Sequence, residues 1–174
     1  MYAPKSLLAV AFTRYAAADF HIYHANTIST VPDAPGGYEA YLNNLDFMNC
    51  DQVLNTHGVS WVGDASGGGA RCEGCLFDAE SIDAWDITEF EFKNDDVITW
   101  DEPGWITLRK EQDNPERYWF EYVNEARDES GVITNSYCVR DGSTELGCNG
   151  GTLSNYNVKK IFACYTSFEA VSSP

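Results

Sequence analysis

The chain has no apolar run that approaches the roughly 20 residues a membrane-spanning helix needs, and it is poor in cations. Against 27 Asp and Glu it sets only 11 Lys and Arg, for a formal net charge of −16 and a pI near 4.3. The first lack excludes a spanning helix. The second excludes binding to the phosphate backbone of nucleic acids, which needs a basic face to release counterions, and docking on anionic lipid. Several motifs are missing too. No Lys-Ser/Thr follows the glycines of Gly63–Gly69, so there is no phosphate loop, and no D-x-D-x-D-G run forms a calcium loop. No Asn-x-Ser/Thr sequon is present, so N-glycosylation is not expected. Repeats, linkers and low-complexity tracts are absent as well.

What remains is an aromatic-rich acidic globule. The 174 residues suit one domain, and 5 Trp, 10 Tyr and 9 Phe are more than a disordered chain carries. Residues Met1–Ala18 read as a secretory signal peptide: Lys5 ahead of an apolar run from Leu7 to Phe12, then the small residues Ala16-Ala17-Ala18. Cleavage there leaves a mature domain over 19–174 and predicts a secreted, extracellular protein.

Six cysteines follow: Cys50, Cys72, Cys75, Cys138, Cys148 and Cys164. An even count behind a signal peptide predicts three disulfides, with fifteen pairings open to the sequence. The short Gly-containing loop between Cys138 and Cys148 makes a local bridge there the simplest expectation. Cys72 and Cys75 are expected to reach distant partners rather than each other, Cys75 to Cys164 for example. The spacing of Cys72-Glu73-Gly74-Cys75 also matches a zinc knuckle, but nothing later in the chain completes four ligands. No metal, cofactor or catalytic residue is assigned.

Period-2 runs bounded by turn residues dominate the mature chain. Strands are predicted at Phe20–His24, Ile82–Phe92, Val97–Trp100, Trp105–Lys110, Tyr118–Asn124, Val132–Val139 and Val158–Ser167. The single predicted helix is Tyr38–Leu45, with Tyr38, Tyr41, Leu42 and Leu45 on one face, and Gly63–Gly69 reads as a loop. The fold class is therefore mainly β: a compact single-domain antiparallel barrel, or sandwich, with one short helix and disulfide support.

Four constellations bear on chemistry. Gly63-Asp64-Ala65-Ser66-Gly67-Gly68 superficially matches the nucleophile loop of trypsin-like proteases, but Ala65 breaks the pattern and a flexible connection is favoured. Glu89 and Glu91, Asp95 and Asp96, and Asp101 and Glu102 are carboxylate pairs of the kind a glycosidase sets across a cleft. With 27 acids such pairs arise anywhere; Glu89 and Glu91 share one face of a strand, which is expected to be solvated. Asp19-Phe20-His21, at a free amino terminus, has the donors for a square-planar Cu(II) or Ni(II) site. His24 and His57 stand alone. Among the aromatics, Trp61, Trp85, Trp100, Trp105 and Trp119 are scattered, and Tyr118, Phe120 and Tyr122 alternate with Trp119, Glu121 and Val123, which predicts a strand covered on both faces.

The signal-like start, the acidic Tyr- and Trp-rich body, Arg71-Cys72-Glu73-Gly74-Cys75 and the closing Lys159-Lys160-Ile161-Phe162-Ala163-Cys164 together resemble small secreted cysteine-containing proteins of filamentous fungi, some discussed as effectors or elicitors of plant defence. That resemblance implies a non-enzymatic secreted protein, a monomer or weak homodimer, that binds a host protein or cell-wall glycan. A small secreted hydrolase acting on polysaccharide through two carboxylates is the alternative. A hydrolase would bring two acids together in a concave pocket lined with Trp or Tyr; scattered acids would favour binding.

Overall fold

The structure, a computed structural model, describes residues 19–29, 37–43, 49–55, 58–63, 69–77, 82–93, 105–124, 129–149 and 154–166. The predicted leader Met1–Ala18, the strand Val97–Trp100, His57, Trp100, most of the Gly63–Gly69 loop and the acids Asp95, Asp96, Asp101 and Glu102 lie outside the described residues.

Ten strands and one helix occupy the described residues. The strands are β1 (Phe20–Ser29), β2 (Gly37–Asn43), β3 (Val59–Ser60), β4 (Ala70–Glu73), β5 (Glu89–Lys93), β6 (Trp105–Lys110), β7 (Arg117–Asn124), β8 (Glu129–Arg140), β9 (Glu145–Asn149) and β10 (Ser154–Tyr165); the helix is α1 (Cys50–Asn55). Their order is β3-β2-β1-β10-β8-β7-β6-β5-β4, every pairing antiparallel, with β9 joined to the far half of β10. A single parallel bridge, Trp61 to Ala70, with Val62 N–H donating to the Ala70 carbonyl, brings the two edges together. The sheet is thus a nearly closed antiparallel barrel, as the alternating pattern predicts. Near-closure shortens the edges that would otherwise template aggregation.

Alternation sorts side chains to the two faces. Phe20, Ile22, Phe90, Phe92, Ile106, Leu108, Tyr118, Phe120 and Phe162 fill the interior. A second, smaller core lies outside β1, β2 and β10, where Tyr23, Ala25, Tyr41 and Val158 meet Val53 of α1 and Cys148 of β9. This second core explains why β2 reads as a helix. Ala40 is buried toward the barrel and Tyr41 toward α1, so apolar residues on both faces of a strand imitate a 3.6-residue period. The predicted helix Tyr38–Leu45 is therefore strand β2 over its described residues. The helix that does form begins twelve residues later than predicted, capped reciprocally: Gln52 N–H donates to Asn49 Oδ1 and Asn49 N–H to Gln52 Oε1, both at 2.9 Å.

The predicted strand Ile82–Phe92 is also divided. Ile82–Ala84 is a 3-10 turn, and only Glu89–Lys93 pairs as β5. Ile82, Trp85 and Ile87 turn into the core, so the connection from β4 to β5 packs against the barrel rather than extending its sheet. Two irregularities shape the ladders. Ile161 is the extra residue of β10 between the pairs Ile22↔Phe162 and Tyr23↔Lys160, so Ile161 and Phe162 are both buried. In β8 the partners jump from Ile133 to Tyr137, and Asn135 sits at φ 64°, a left-handed backbone that Asn tolerates better than most residues.

Three disulfides fix this arrangement: Cys50–Cys148, Cys72–Cys75 and Cys138–Cys164. They correct the expected pairings. Cys138 lies directly opposite Cys164 in the β8–β10 ladder, not bonded to Cys148. Cys72 bonds Cys75 after all, because Gly74 at φ 85° folds the chain back and sets the two Cα atoms 5.7 Å apart, within ordinary disulfide reach. In the chain-entropy treatment, separations of 98, 26 and 3 residues correspond to about 4.7, 3.6 and 2 kcal/mol. Near the disulfide in β10 the ends of the described chain meet: Asp19 N–H donates to the Cys164 carbonyl and Thr166 N–H to the Asp19 carboxylate.

Candidate binding site

At one end of the barrel, the last residue of β6, the start of β7 and the end of β8 meet the β4–β5 connection. They enclose a cleft of 490 Å³ lined by Asp83, Ala84, Trp85, Asp86, Lys110, Pro115, Glu116, Tyr118, Arg140 and Gly142. Strand register sets its floor. Lys110, Tyr118 and Cys138 are consecutive partners across β6, β7 and β8, so the buried Cys138–Cys164 bridge lies directly beside Tyr118.

Tyr118 donates its hydroxyl proton to the Ile87 carbonyl at 2.7 Å, and burial pushes its ionisation up to about 12. Arg140 donates through Nη2 to the Ile82 carbonyl at 2.8 Å and lies over the Phe162 ring. Its Nη1 is buried without a hydrogen-bond partner among the described residues, as is Nε1 of Trp85. Burial lowers the Arg140 pKa against the opposing pull of Tyr118, Glu116 and Asp83. Asp86 is exposed, and its hydrogen bond and charge pairing with Lys110 hold its carboxyl below the usual range. The cleft therefore combines carboxylates at Asp83, Asp86 and Glu116 with cations at Lys110 and Arg140, against a wall that includes Trp85.

The sequence-predicted pair Glu89 and Glu91 is elsewhere, on the outer face of β5. Both acids share that face, as predicted. Glu91 is half-buried, and Glu89 is not solvated: it is 7% exposed and is ion-paired with Arg71 of β4 and Arg109 of β6. Arg109 continues to Glu121 of β7, which also accepts from Trp119 Nε1. Glu91 accepts from Thr107 at 3.3 Å and faces Arg71. Burial raises the Glu121 pKa, but the Arg109 and Trp119 hydrogen bonds and the Arg109 charge outweigh it and leave the group lowered. These acids are paired in a ladder of guanidinium groups, which suits cross-strand support. The outer face of β7 is likewise not a second core: Trp119 and Glu121 are half-buried and Val123 is 41% exposed, while Tyr118 and Phe120 fill the barrel.

The Asp19-Phe20-His21 nitrogens are committed to structure. Asp19 N–H donates to Cys164, Phe20 and His21 pair with β10, and the His21 ring is 2% exposed. A planar metal site would have to pull them out of the ladder. Cys72 and Cys75 are bonded to each other, and no cluster of three His, Cys, Asp or Glu suited to a metal occurs among the described residues.

Sequence reasoning missed the surroundings of His24. This residue is 4% exposed, in line with Phe20 and Ile22 on the inner face of β1, and four rings surround it. Trp85 lies 4.9 Å away edge-on, Phe77 5.6 Å and Tyr38 5.7 Å away stacked, and Trp61 5.8 Å away. Burial, with the nearby Lys159 charge, pushes the imidazole down to about 4, so it is neutral at ordinary pH. The rings come from β2, from the barrel seam and from the β4–β5 connection; nothing in their sequence spacing marks them. Trp85 belongs both to this box and to the cleft wall.

No protein-family description, no curated protein and no solved structure matches this chain. The three disulfides are consistent with an extracellular protein.

Proposed function

We propose that the protein is secreted and non-enzymatic, an effector- or elicitor-like binder at the host or cell-wall interface, and that its end cleft takes a neutral or amine-bearing cell-wall glycan. The observation carrying this reading is the cleft's mixture of groups: the Lys110 and Arg140 cations beside the carboxylates of Asp83, Asp86 and Glu116. Sugar hydroxyls both donate and accept, so they match such alternation, and a volume of 490 Å³ is in the range of small-ligand sites. A net charge of −16 disfavours polyanionic glycans.

The hydrolase alternative has acids in a concave site beside Trp85 and Tyr118 in its favour. Against it, a glycosidase needs one carboxylic acid held protonated by burial, and Asp86 is exposed and lowered by Lys110. Calorimetric titration with chito-, cello- and galacturono-oligosaccharides tests the proposal, alongside an assay for released reducing ends. The expected result is binding of a neutral or amine-bearing oligomer, loss of binding in Arg140→Ala and Glu116→Gln, and no new reducing ends. Release of reducing ends would establish the hydrolase; binding to none of the oligomers would overturn the glycan reading.

A further inference from the structure

The three disulfides differ in setting. Cys138, Cys164 and Cys148 are buried at 0%, 0% and 3% exposure, and their two bridges join segments 26 and 98 residues apart. Cys72 and Cys75 are three apart, are half-exposed, and sit at the end of β4, the strand that meets β3 at the barrel seam. A bond across so short a separation constrains the unfolded chain least, so folding protects it least from reduction. The backbone around it has holds besides the bond. Thr88 N–H donates to the Glu73 carbonyl at 3.0 Å, and Gly74 occupies a left-handed turn so close to Asp86 that a side chain there would collide with the Asp86 carbonyl. With the turn held in this way, two thiols left by reduction would remain beside each other and could close again.

We propose that Cys72–Cys75 is a thiol–disulfide exchange site that reacts with external thiols while the other two bridges persist. In the forward direction a partner thiolate attacks one sulfur, the Cys72–Cys75 bond breaks, and a mixed disulfide forms with a thiolate left on the other cysteine. A second partner thiol then displaces the mixed disulfide. The partner's two thiols become one disulfide, and the protein gains two electrons and two protons as Cys72 and Cys75 thiols. Oxidised glutathione or another disulfide reverses the sequence. The site also has a structural readout. Phe77, two residues beyond Cys75, stacks on His24 and Tyr38 and contacts Trp61 and Trp85, so opening the bridge loosens the anchor of the segment that carries that ring.

The test is stepwise reduction of the whole folded chain with reduced glutathione and, separately, with a dithiol such as dithiothreitol. Samples are acid-quenched, alkylated and read by peptide mass, with circular dichroism recorded in parallel. Cys72 and Cys75 should become alkylated at about tenfold lower reductant than the other four cysteines. The β spectrum should be retained, Trp fluorescence should change, and oxidised glutathione should restore the bridge. A Cys75→Ser variant should trap glutathione on Cys72, and Cys72→Ser/Cys75→Ser should fold but lose the fluorescence response. Reaction with dithiothreitol alone would assign the site to dithiol partners rather than glutathione, and still supports exchange. Simultaneous labelling of all six cysteines, loss of the β spectrum with the first labelling, or failure to re-form the bridge would overturn the proposal.

Discussion

The two sides of the barrel are held by different physics. On the side of β1, β2 and β10, ten register pairs with one bulge join β1 to β10, α1 and β9 cover a second core, and two long-range disulfides tie α1 to β9 and β8 to β10. Among the described residues, β3 at the seam has two residues, the closing contact is one parallel bridge, and the nearby disulfide spans three residues. Beside that bridge, a box of rings around His24 packs across the seam among the described residues. One side should therefore answer to crosslinks, and the other to the chemistry of its rings.

The comparison breaks first, and most heavily, at Cys50 and Cys148. Cys50→Ala/Cys148→Ala should lose about 4 to 5 kcal/mol of unfolding free energy, read as a lower urea midpoint. A loss no larger than that of Cys72→Ala/Cys75→Ala would mean the buttressed side does not rely on its bridge.

Acid should act at the seam. The His24 pKa is about 4 in the fold against 6.5 when unfolded, so between those values the unfolded chain holds more protons and stability falls as pH falls. The full effect, about 3 kcal/mol, is present above pH ~6.5 and is lost by pH ~4. Carboxylates with lowered pKa values, such as Asp141 beside Lys160, add their own loss only at lower pH. Denaturant midpoints at pH 7 and 4.5 measure the window, and His24→Phe, which keeps a ring in the box, should flatten it. An unchanged slope in that variant would remove His24 as the cause.

Smaller still is the local bridge. Cys72→Ala/Cys75→Ala should cost at most about 2 kcal/mol and leave the melting transition cooperative. Smallest is Glu89→Gln, which leaves Arg71 and Arg109 facing a neutral amide. Both cations are partly exposed, at 31% and 44%, and can recover water, so about 1 kcal/mol is expected from thermal melts. A loss of several kcal/mol would show that the outer ladder holds the seam side as firmly as a core does.

Much of this architecture is legible in the chain. Trp105–Lys110 alternates cleanly behind Pro103-Gly104 and forms β6 over those same residues. β7, β8 and β10 follow from the same alternation, with shifted ends. The failures share one cause, which is information that exists only once strands are neighbours. β2 is buried on both faces because α1 and β9 return to cover it. Cys164 finds Cys138 because β10 inserts between β1 and β8. Glu89 loses its solvent to Arg71 and Arg109, which stand 18 and 20 residues away in sequence. The α1 cap is different: Asn49 and Gln52 carry the spacing of a reciprocal cap, a signal present in the sequence itself. The end cleft has no local signal, since its lining is drawn from four separate segments.

The pairing of Asp19 with Cys164 and Thr166 has a mechanical consequence. Tension applied between these two points would load neighbouring antiparallel strands from the same end. The rungs of β1 and β10 would then separate in succession, as a zipper opens, instead of sharing the force in shear. Cys164 is bonded to β8, so β1 is the strand that peels, and the barrel would yield to a pull at Asp19 and Thr166 far more readily than its crosslinks suggest for heat.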